Sequence, residues 1–529
     1  MGLTIYDTTL RDGSQGEGIS FSVKDKLKIA TKLDSLGIDY IEGGWPGSNP
    51  KDEEFFYEVQ NLKFNKAEVV AFSSTKKPFI DIKNDLNISK LIKSGVKTAT
   101  IFAKSWDFHV SEALEIDLKE NLNMISETIS YLKKHNIDVF FDAEHFFDGY
   151  HNNREYAIKT LEAAENAGAD MLVLCDTNGG QITKDIKMIF KDIKNITDLA
   201  LGIHAHNDSG LAGANSLVAY EEGVVQIQGT MGGIGERCGN ADLTSLIPSL
   251  KLKYGIDIVS DEQLRKITPV YNYIIEVANL IPDNQKPYVG KSAFTHKGGV
   301  HVSALKKNTK TYEHINPDFT GNKRRVLVSE LSGKSNLEYK LKELGFNADE
   351  LDKELLKRLT NRVKEMEHKG YQFEGAEASL ELLVYKELGL FESFFRIDDF
   401  KIISYNYGRE TNSEAVVKLF VNGEKIHVAA EGDGPVNALD KSLRKALAEF
   451  SPLINKLRLI DYKVRVLNSD DGTAAWVRVL IESTDGDKTW TTVGVSTNII
   501  QASWKALCDS IEYGFVDKDE KKEQFSSAN

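Results

Sequence analysis

The sequence predicts an α/β protein with three parts. These are an N-terminal (β/α)8 TIM barrel, helical linker subdomains, and a C-terminal α+β domain of two βββα repeats. Three observations predict it. Short apolar segments alternate with amphipathic helical patterns over residues 1–235, polar side chains gather where these segments end, and a three-strand and helix pattern occurs twice after residue 400. We place the domains at 1–270, 271–399 and 400–515, with a disordered tail at 516–529.

Eight candidate strands in about 235 residues match the size of a barrel, which takes about 250 residues. Strands that alternate with helices indicate a parallel sheet. A doubly wound open sheet is the alternative, but no Gly-rich phosphate fingerprint follows the first strand. The candidate strands are Leu3–Thr8, Asp39–Gly43, Glu68–Ser73, Thr98–Ala103, Asp138–Glu144, Asp170–Thr177, Leu201–Asp208 and Val224–Gly229.

The middle of the chain has mainly helical patterns. Residues Tyr271–Leu280 form an apolar helical pattern, and two helices are expected around the GYQFEG segment within 346–391. Between them we expect an irregular, Gly-rich loop that carries His296 and His301 and is a candidate for reaching over a site.

The C-terminal part changes to alternating strands. Strands are expected at Phe400–Tyr405, Ala415–Val421 and Glu424–Ala430, followed by a helix at Pro435–Phe450. The same order returns at Asp461–Leu467, Ala475–Ser483 and Lys488–Val495, with a helix from Thr497. A duplication of this kind predicts a pseudo-symmetric module.

Bulk composition limits the function classes. The chain has 529 residues, enough for two to four domains, and a formal net charge of −13, which argues against nucleic-acid or anionic-membrane binding. Three widely spaced cysteines form neither a disulfide framework nor a zinc-ribbon pattern, which favours a cytoplasmic location. We find no signal peptide and no apolar run of 18 residues.

The HAHND segment predicts a metal site. His204 and His206 are two apart on a strand, so both imidazoles point to the same side. An isolated pair of this kind has even odds of being two hydrogen-bonded strand histidines. Its place at a barrel mouth, with Asp12 after the first strand, favours a two-His, one-carboxylate site with open positions for water or substrate.

Other polar residues at the strand ends allow two interpretations. Arg11 is either a salt-bridge partner or a cation aimed at a developing negative oxygen, and Glu42 would orient it in both cases. Glu144 is a candidate base or a solvated carboxylate. The GIGERCGNAD segment is most simply a tight turn, and its Asn240 is a candidate ligand only in the functional interpretation.

Three motifs carry a resemblance. YDTTLRDGSQ, HAHND and GIGERCGNADL, in this order, closely resemble the acyl-CoA-condensing branch of the DRE-TIM metallolyases, which contains 2-isopropylmalate, homocitrate and citramalate synthases. The final segment from GTAAW to IEYG is similar to the allosteric module of these enzymes. EGGWPGSNPKD, DAEHFFDGY and Ser209 make the chain most similar to the citramalate synthases.

The resemblance implies an acyltransferase that condenses acetyl-CoA with pyruvate and hydrolyses the thioester, giving (R)-citramalate and CoA for isoleucine biosynthesis. It implies catalytic roles for Arg11, Glu42, Glu144 and His301, of which His301 comes from the partner subunit in relatives. Substrate contacts fall to Arg11, Asp12, Thr177 and Tyr312. The implied ligands of a Mg²⁺, Mn²⁺ or Zn²⁺ ion are Asp12, His204, His206 and Asn240.

The resemblance also implies a homodimer and a regulatory C-terminal domain with isoleucine or another branched-chain amino acid as effector, contacted by DGTAAW and VGVSTN. The nearest rival is a 2-isopropylmalate synthase that accepts 2-oxoisovalerate. An acyl-CoA lyase and a catalytically dead amino-acid sensor are weaker rivals, because the C-terminal module disfavours the first and the complete set of site residues disfavours the second.

Overall fold

The computed structural model describes residues 2–328, 334–344, 346, 353–407, 410–467, 472 and 474–517. The chain divides into two compact units. The first comprises Met1–Phe294 and Ile315–Arg324, and the second comprises Thr295–His314 and Arg325–Asn529. The domain boundaries that we place at 270, 399 and 515 stay predictions, and 518–529 of the tail lie outside the described residues.

A closed parallel barrel forms the first unit, as predicted. Its strands follow one another around the barrel as β1 (Thr4–Asp7), β2 (Tyr40–Gly44), β3 (Glu68–Ser74), β4 (Thr98–Lys104), β5 (Asp138–Glu144), β6 (Met171–Asp176), β7 (Leu201–Ala205) and β8 (Gln226–Gly229). Strand β8 pairs in parallel with β1, where Ile5 lies opposite Ile227. The sheet therefore has no free edge, and all strand C-termini meet at one mouth.

Helices surround the barrel, and the first of them, α1 (Val23–Leu36), has the expected signals at both ends. In α1, Ser22 and Asp25 form a reciprocal capping box, and Gly37 ends the helix with a left-handed φ of 88°. The helices are α1 (Val23–Leu36), α2 (Pro50–Val59), α3 (Leu86–Lys93), α4 (Asp107–Glu112), α5 (Leu118–Lys134), α6 (Phe146–Asn152), α7 (Arg154–Asn166), α8 (Thr183–Ile193), α9 (Ala212–Glu221), α10 (Leu243–Leu252), α11 (Asp261–Leu264) and α12 (Ile267–Val277).

Side chains alternate across the strands, so the barrel has two kinds of core. The large apolar core lies between strands and helices, and a smaller cluster that includes Tyr6, Phe140 and Val173 fills the barrel interior. Towards the mouth the buried interior becomes polar, with Glu42, Asp142 and Gln228 among its members. Buried polar groups are costly unless they have partners, so a cluster of them at the mouth is a candidate functional site.

The second unit begins with short elements: β9 (Thr295–His296), α13 (Gly299–Lys307), β10 (Arg325–Val326), α14 (Lys334–Glu343), α15 (Lys353–His368) and α16 (Glu377–Glu387). The stretch that we expected to be irregular contains helix α13. Its glycines hide a helical spacing of Val302 and Leu305, which are both buried. The two expected helices around GYQFEG are α15 and α16.

Two three-stranded antiparallel sheets, each followed by a helix, confirm the predicted duplication. The first repeat is β11 (Arg396–Tyr407), β12 (Glu410–Val421), β13 (Glu424–Gly432) and α17 (Pro435–Leu447). The second is β14 (Arg458–Val466), β15 (Val477–Thr484), β16 (Thr489–Ser496) and α18 (Ile499–Gly514). Both helices contribute to one apolar core, with Leu443 from the first and Leu507 from the second.

No helix among the described residues combines the length and the apolar character needed to cross a membrane.

Candidate metal centre and active site

Three side chains meet at the barrel mouth. Asp12 follows β1, His204 lies in β7, and His206 follows one residue after β7 ends. The Oδ2 atom of Asp12 is 3.5 Å from Nε2 of His204 and 3.9 Å from Nε2 of His206, and the two Nε2 atoms are 3.4 Å apart. All three residues are buried, and their ligand atoms lie within 4.8 Å of one another. This spacing suits one small cation.

The chain stays extended through His206 although β7 ends at Ala205. An isolated antiparallel bridge pairs His206 with Asn240 from the loop after β8. The extended backbone keeps both imidazoles on the same side, as the H-x-H spacing predicts. The bridge also brings Asn240 to Asp12, His204 and His206.

Asn240 has the contacts expected of a fourth ligand. Its Nδ2 donates to Oδ1 of Asp12 and to the carbonyl of Ile234, both at 3.2 Å. Its Oδ1 is buried and has no hydrogen-bond partner among the described residues. An orphaned buried carbonyl oxygen is costly, and a bound cation would satisfy it. The residues present therefore fit a divalent ion.

A glutamine fixes the orientation of His204. Nδ1 of His204 lies 2.9 Å from Oε1 of Gln228 in β8, and Nε2 of Gln228 donates to Asp142 at 3.2 Å. Because the amide oxygen accepts, Nδ1 carries a proton and Nε2 is the ring nitrogen that faces Asp12 and His206. Burial raises the pKa of Asp142 to about 7.

The electrostatics favour an anionic Asp12 and a neutral His206. Burial alone would raise the pKa of Asp12, but Arg11 and the two histidines outweigh it and hold that pKa well below its ordinary value. Burial, aided by the neighbouring His204, lowers the pKa of His206 to about 4. A carboxylate beside a neutral imidazole is the protonation state that a divalent ion requires.

Arg11 is fixed from three sides. Its Nε donates to Oε2 of Glu42 at 2.6 Å, its Nη1 donates to Oδ2 of Asp12 at 2.9 Å, and its Cζ lies 3.8 Å from the centre of the Phe72 ring. Glu42 is itself fully buried and accepts from the hydroxyls of Tyr6 and Thr8. These protein contacts therefore hold the guanidinium in one orientation.

A cavity of about 220 Å³ opens beside Asp12, His204 and His206. One wall is aromatic, because Phe72 and Phe102 stack at 5.0 Å and Trp45 meets both rings edge-on at 5.9 and 5.6 Å. Phe146 and Phe147 of the DAEHFFDGY motif do not line this cavity, because both are fully buried in the apolar core. The cavity suits a molecule of a few heavy atoms.

Glu144 and Thr177 line the same cavity. Oε2 of Glu144 is 2.6 Å from Nζ of Lys104, so this carboxylate is paired rather than freely solvated. Oγ1 of Thr177 accepts a 2.9 Å hydrogen bond from the backbone amide of His145.

His301 and Tyr312 belong to the second unit, where their rings stack at 4.0 Å. The fold thus brings together Arg11, Asp12, Glu42, Glu144, Thr177, His204, His206 and Asn240 in the first unit. It stays a prediction that His301 and Tyr312 act at the same site as these residues.

Sequence reasoning missed Gln228, Phe72 and Lys104. The inward position of Gln228 was detectable, because it is a polar residue with inward parity in a buried strand, but its contact with His204 was not. Phe72 and Lys104 gave no signal, since an aromatic residue and a lysine at strand ends are common.

Comparisons with known proteins agree with this geometry. Residues 2–274 match the model of the HMGL-like family, 288–371 match the homocitrate synthase post-HMGL domain-like family, and 374–515 match the LeuA allosteric (dimerisation) domain. The chain is 54% identical to the (R)-citramalate synthase of Aquifex aeolicus, over 98% of both chains.

Two further relatives carry the same name. The (R)-citramalate synthase of Geobacter sulfurreducens is 52% identical over 96% of this chain and 97% of its own, and that of Synechocystis sp. is 49% identical over 97% and 96%. With an HMGL-like barrel, a LeuA-type C-terminal domain and full-length likeness of this degree, the chain belongs to the (R)-citramalate synthase family.

Proposed function

We propose that the chain is a metal-dependent acyltransferase that condenses acetyl-CoA with pyruvate and releases (R)-citramalate and CoA. The observation that carries this proposal is the small cavity, with an aromatic wall on one side and Asp12, His204 and His206 on the other. The full-length relatives named (R)-citramalate synthase support the same reaction.

Cavity size supports pyruvate as the acceptor. A space of about 220 Å³ holds pyruvate, and the edge-on indole of Trp45 against Phe72 and Phe102 narrows it on the apolar side. The methyl group of pyruvate would lie against these rings. A branched side chain, as in 2-oxoisovalerate, is larger by two carbons and would press further against these rings.

Asp12, His204, His206 and Asn240 would hold the ion, and Mg²⁺, Mn²⁺ and Zn²⁺ all accept such a donor set. A divalent ion bound there supplies a Lewis acid for the keto oxygen and carboxylate of a 2-oxo acid.

Arg11 would stabilise the alkoxide that develops as the new carbon–carbon bond forms. Its orientation is preset by Glu42 and by the face of Phe72, so no reorganisation is needed during the reaction. Glu42 acts as its positioning partner. Thr177 would donate its hydroxyl to the substrate carboxylate.

Glu144 would act as the base that removes a methyl proton from acetyl-CoA. It lines the cavity, and the ammonium of Lys104, 2.6 Å from its Oε2, holds its carboxylate in place. The resulting carbanion attacks the keto carbon, and water then hydrolyses the thioester, which drives the reaction forward.

His301 would take part in catalysis, and Tyr312 would contact the acyl-CoA. Their close stacking supports a joint role, because substitution of either ring removes a neighbour from the other. The resemblance assigns His301 to the site of the partner subunit, and the match to a dimerisation domain supports a homodimer.

We further infer that a branched-chain amino acid, with isoleucine as the first candidate, regulates the enzyme through the C-terminal domain. The VGVSTN segment ends β16 and leads into α18, while Asp471 and Thr473 of DGTAAW lie outside the described residues.

We also infer a cytoplasmic location, since Cys175, Cys238 and Cys508 are all described and all free.

A thiol-release assay with acetyl-CoA and a panel of 2-oxo acids tests the proposal. We expect pyruvate to give the highest kcat/KM, 2-oxobutyrate less, and 2-oxoisovalerate far less, with dependence on added Mg²⁺ or Mn²⁺. A higher kcat/KM with 2-oxoisovalerate than with pyruvate would show that pyruvate is not the acceptor. Turnover of none of these acids would overturn the activity altogether.

A further inference from the structure

His145 has an unusual backbone for its position. It lies between Glu144, the last residue of β5, and helix α6, and its φ of 56° and ψ of 32° place it in the left-handed region. Residues other than glycine rarely adopt this conformation, and such strain persists only where surrounding contacts hold it.

The contacts of His145 hold the ends of two neighbouring strands together. Its backbone amide donates to Oγ1 of Thr177 after β6, and its Nδ1 lies 2.9 Å from Oδ2 of Asp148. The same Oδ2 accepts from Nδ2 of Asn178, the residue after Thr177, at 3.0 Å. The His145 ring also packs on His109, with 4.1 Å between centroids.

The amide contact determines what the Thr177 hydroxyl can do. A hydroxyl has one proton to donate and two lone pairs that accept. Because the His145 amide occupies a lone pair of Oγ1, the hydroxyl proton must point elsewhere. Thr177 lines the cavity, so the amide presents this hydroxyl to the cavity as a donor.

We propose that His145 is a positioning residue whose left-handed backbone orients the Thr177 hydroxyl as a donor to the carboxylate of the 2-oxo acid. The inference rests on the proposed function, which places this carboxylate beside Thr177. The relevant feature is the backbone conformation. The imidazole contacts to Asp148 and His109 help to hold that conformation and do not touch the substrate.

Two substitutions separate the backbone from the side chain. His145→Gly and His145→Val remove the same imidazole contacts, but glycine adopts a positive φ freely and valine does not. We expect KM for pyruvate to stay within about threefold of wild type in His145→Gly. In His145→Val, KM should rise about tenfold or more with kcat changed less, since the loss of a hydrogen bond to a charged group costs at least that factor.

A double-mutant cycle with Thr177 tests the route of the effect. Thr177→Val should raise KM for pyruvate by a similar factor, and Thr177→Ser, which keeps the hydroxyl, should restore most of the affinity. In the Thr177→Val background, His145→Val should raise KM less than twofold further, because the hydroxyl that it orients is gone. His145→Ala, a milder change, provides the same cycle if His145→Val does not fold.

The results distinguish the inference from the proposed function. Wild-type turnover of pyruvate is measured first, and its absence would overturn both. If wild type is active, equal KM values in His145→Gly and His145→Val would overturn the backbone role. Effects of His145 and Thr177 that multiply in the double variant would show that the two residues act independently, which also overturns the inference.

Discussion

Replacing Gln228 with leucine tests how much of the metal affinity comes from a residue that is not a ligand. Gln228 is fully buried in β8, and its amide oxygen lies 2.9 Å from Nδ1 of His204. Leucine has a similar size and keeps the packing, but it lets the imidazole rotate and change tautomer. The Nε2 lone pair of His204 is then no longer fixed towards Asp12 and His206.

The expected loss follows from this contact. Removing a hydrogen-bond partner of a ligating histidine typically weakens metal binding about 10- to 100-fold. That range equals about 1.4–2.8 kcal/mol, which agrees with the cost of leaving a buried donor unsatisfied. The loss should be smaller than that in His204→Ala, which removes a proposed ligand.

The assay is a calorimetric titration of chelator-treated protein with Mn²⁺, so that no substrate is needed. Gln226→Leu is the matched control, because Gln226 lies in the same strand, is equally buried and contacts Gln228 rather than His204. Wild-type Mn²⁺ affinity in Gln228→Leu would refute the reasoning. An equal loss in both variants would also refute it, because the effect would then be a general one of altered barrel packing.

Three further predictions follow from the same site and its barrel. Arg11→Lys should lower kcat by about 10²-fold, the usual cost of losing one oxyanion donor, because an ammonium cannot donate to Glu42 and a developing alkoxide in one plane; near-normal kcat in steady-state assays would make Arg11 structural. Burial raises the pKa of Asp7 to about 7, so stability from this group falls as pH rises from about 4 to 7, by up to about 1.4 kcal/mol per pH unit. Asp7→Asn, which keeps an acceptor for the Thr9 amide, should therefore gain more stability relative to wild type at pH 8 than at pH 5 in denaturant melts, and an equal difference at both pH values would contradict this. Trp45→Ala should raise kcat/KM for 2-oxobutyrate relative to pyruvate by about tenfold in the thiol-release assay, and an unchanged ratio would show that the indole does not limit acceptor size.

Strand periodicity predicted the barrel because each strand is short and apolar and a helix follows it in the chain. The ends of strands were less predictable. The sequence suggests that β7 continues to Asp208, yet the strand ends at Ala205, and His206 is held by a bridge to Asn240. That pairing joins residues far apart in sequence, and no local pattern encodes it.

Two other parts escaped prediction for identifiable reasons. Helix α13 was obscured by the glycines before it, although Val302 and Leu305 are buried on one face. Strand β11 begins at Arg396, before the predicted start at Phe400. The prediction missed its first residues because most of them are charged and form ion pairs across the sheet, as Asp398 does with Lys425. A pattern of apolar residues does not reveal strand residues that form such ion pairs.

The site residues were predictable where one strand or turn carries two of them. Arg11 with Asp12, and His204 with His206, are neighbours in sequence and were found from parity and topology. Gln228 was missed because its role depends on the register between β7 and β8, which places it opposite His204. Register is a tertiary property that a single strand does not show.

The position of Asp12 and Asn240 in the chain has a consequence for folding. Asp12 follows the first strand and Asn240 follows the last, and their side chains meet across the line where β1 pairs with β8. With Asn240 as the proposed fourth ligand, a nascent chain cannot complete the coordination of an ion before residue 240 has left the ribosome. An ion that binds only the closed ring adds RT ln(1 + [M]/Kd) to its stability, about 2.7 kcal/mol at a hundredfold excess over Kd. The cation would thus stabilise the contact between the first strand and the last, and it would bind fully only after the barrel has closed.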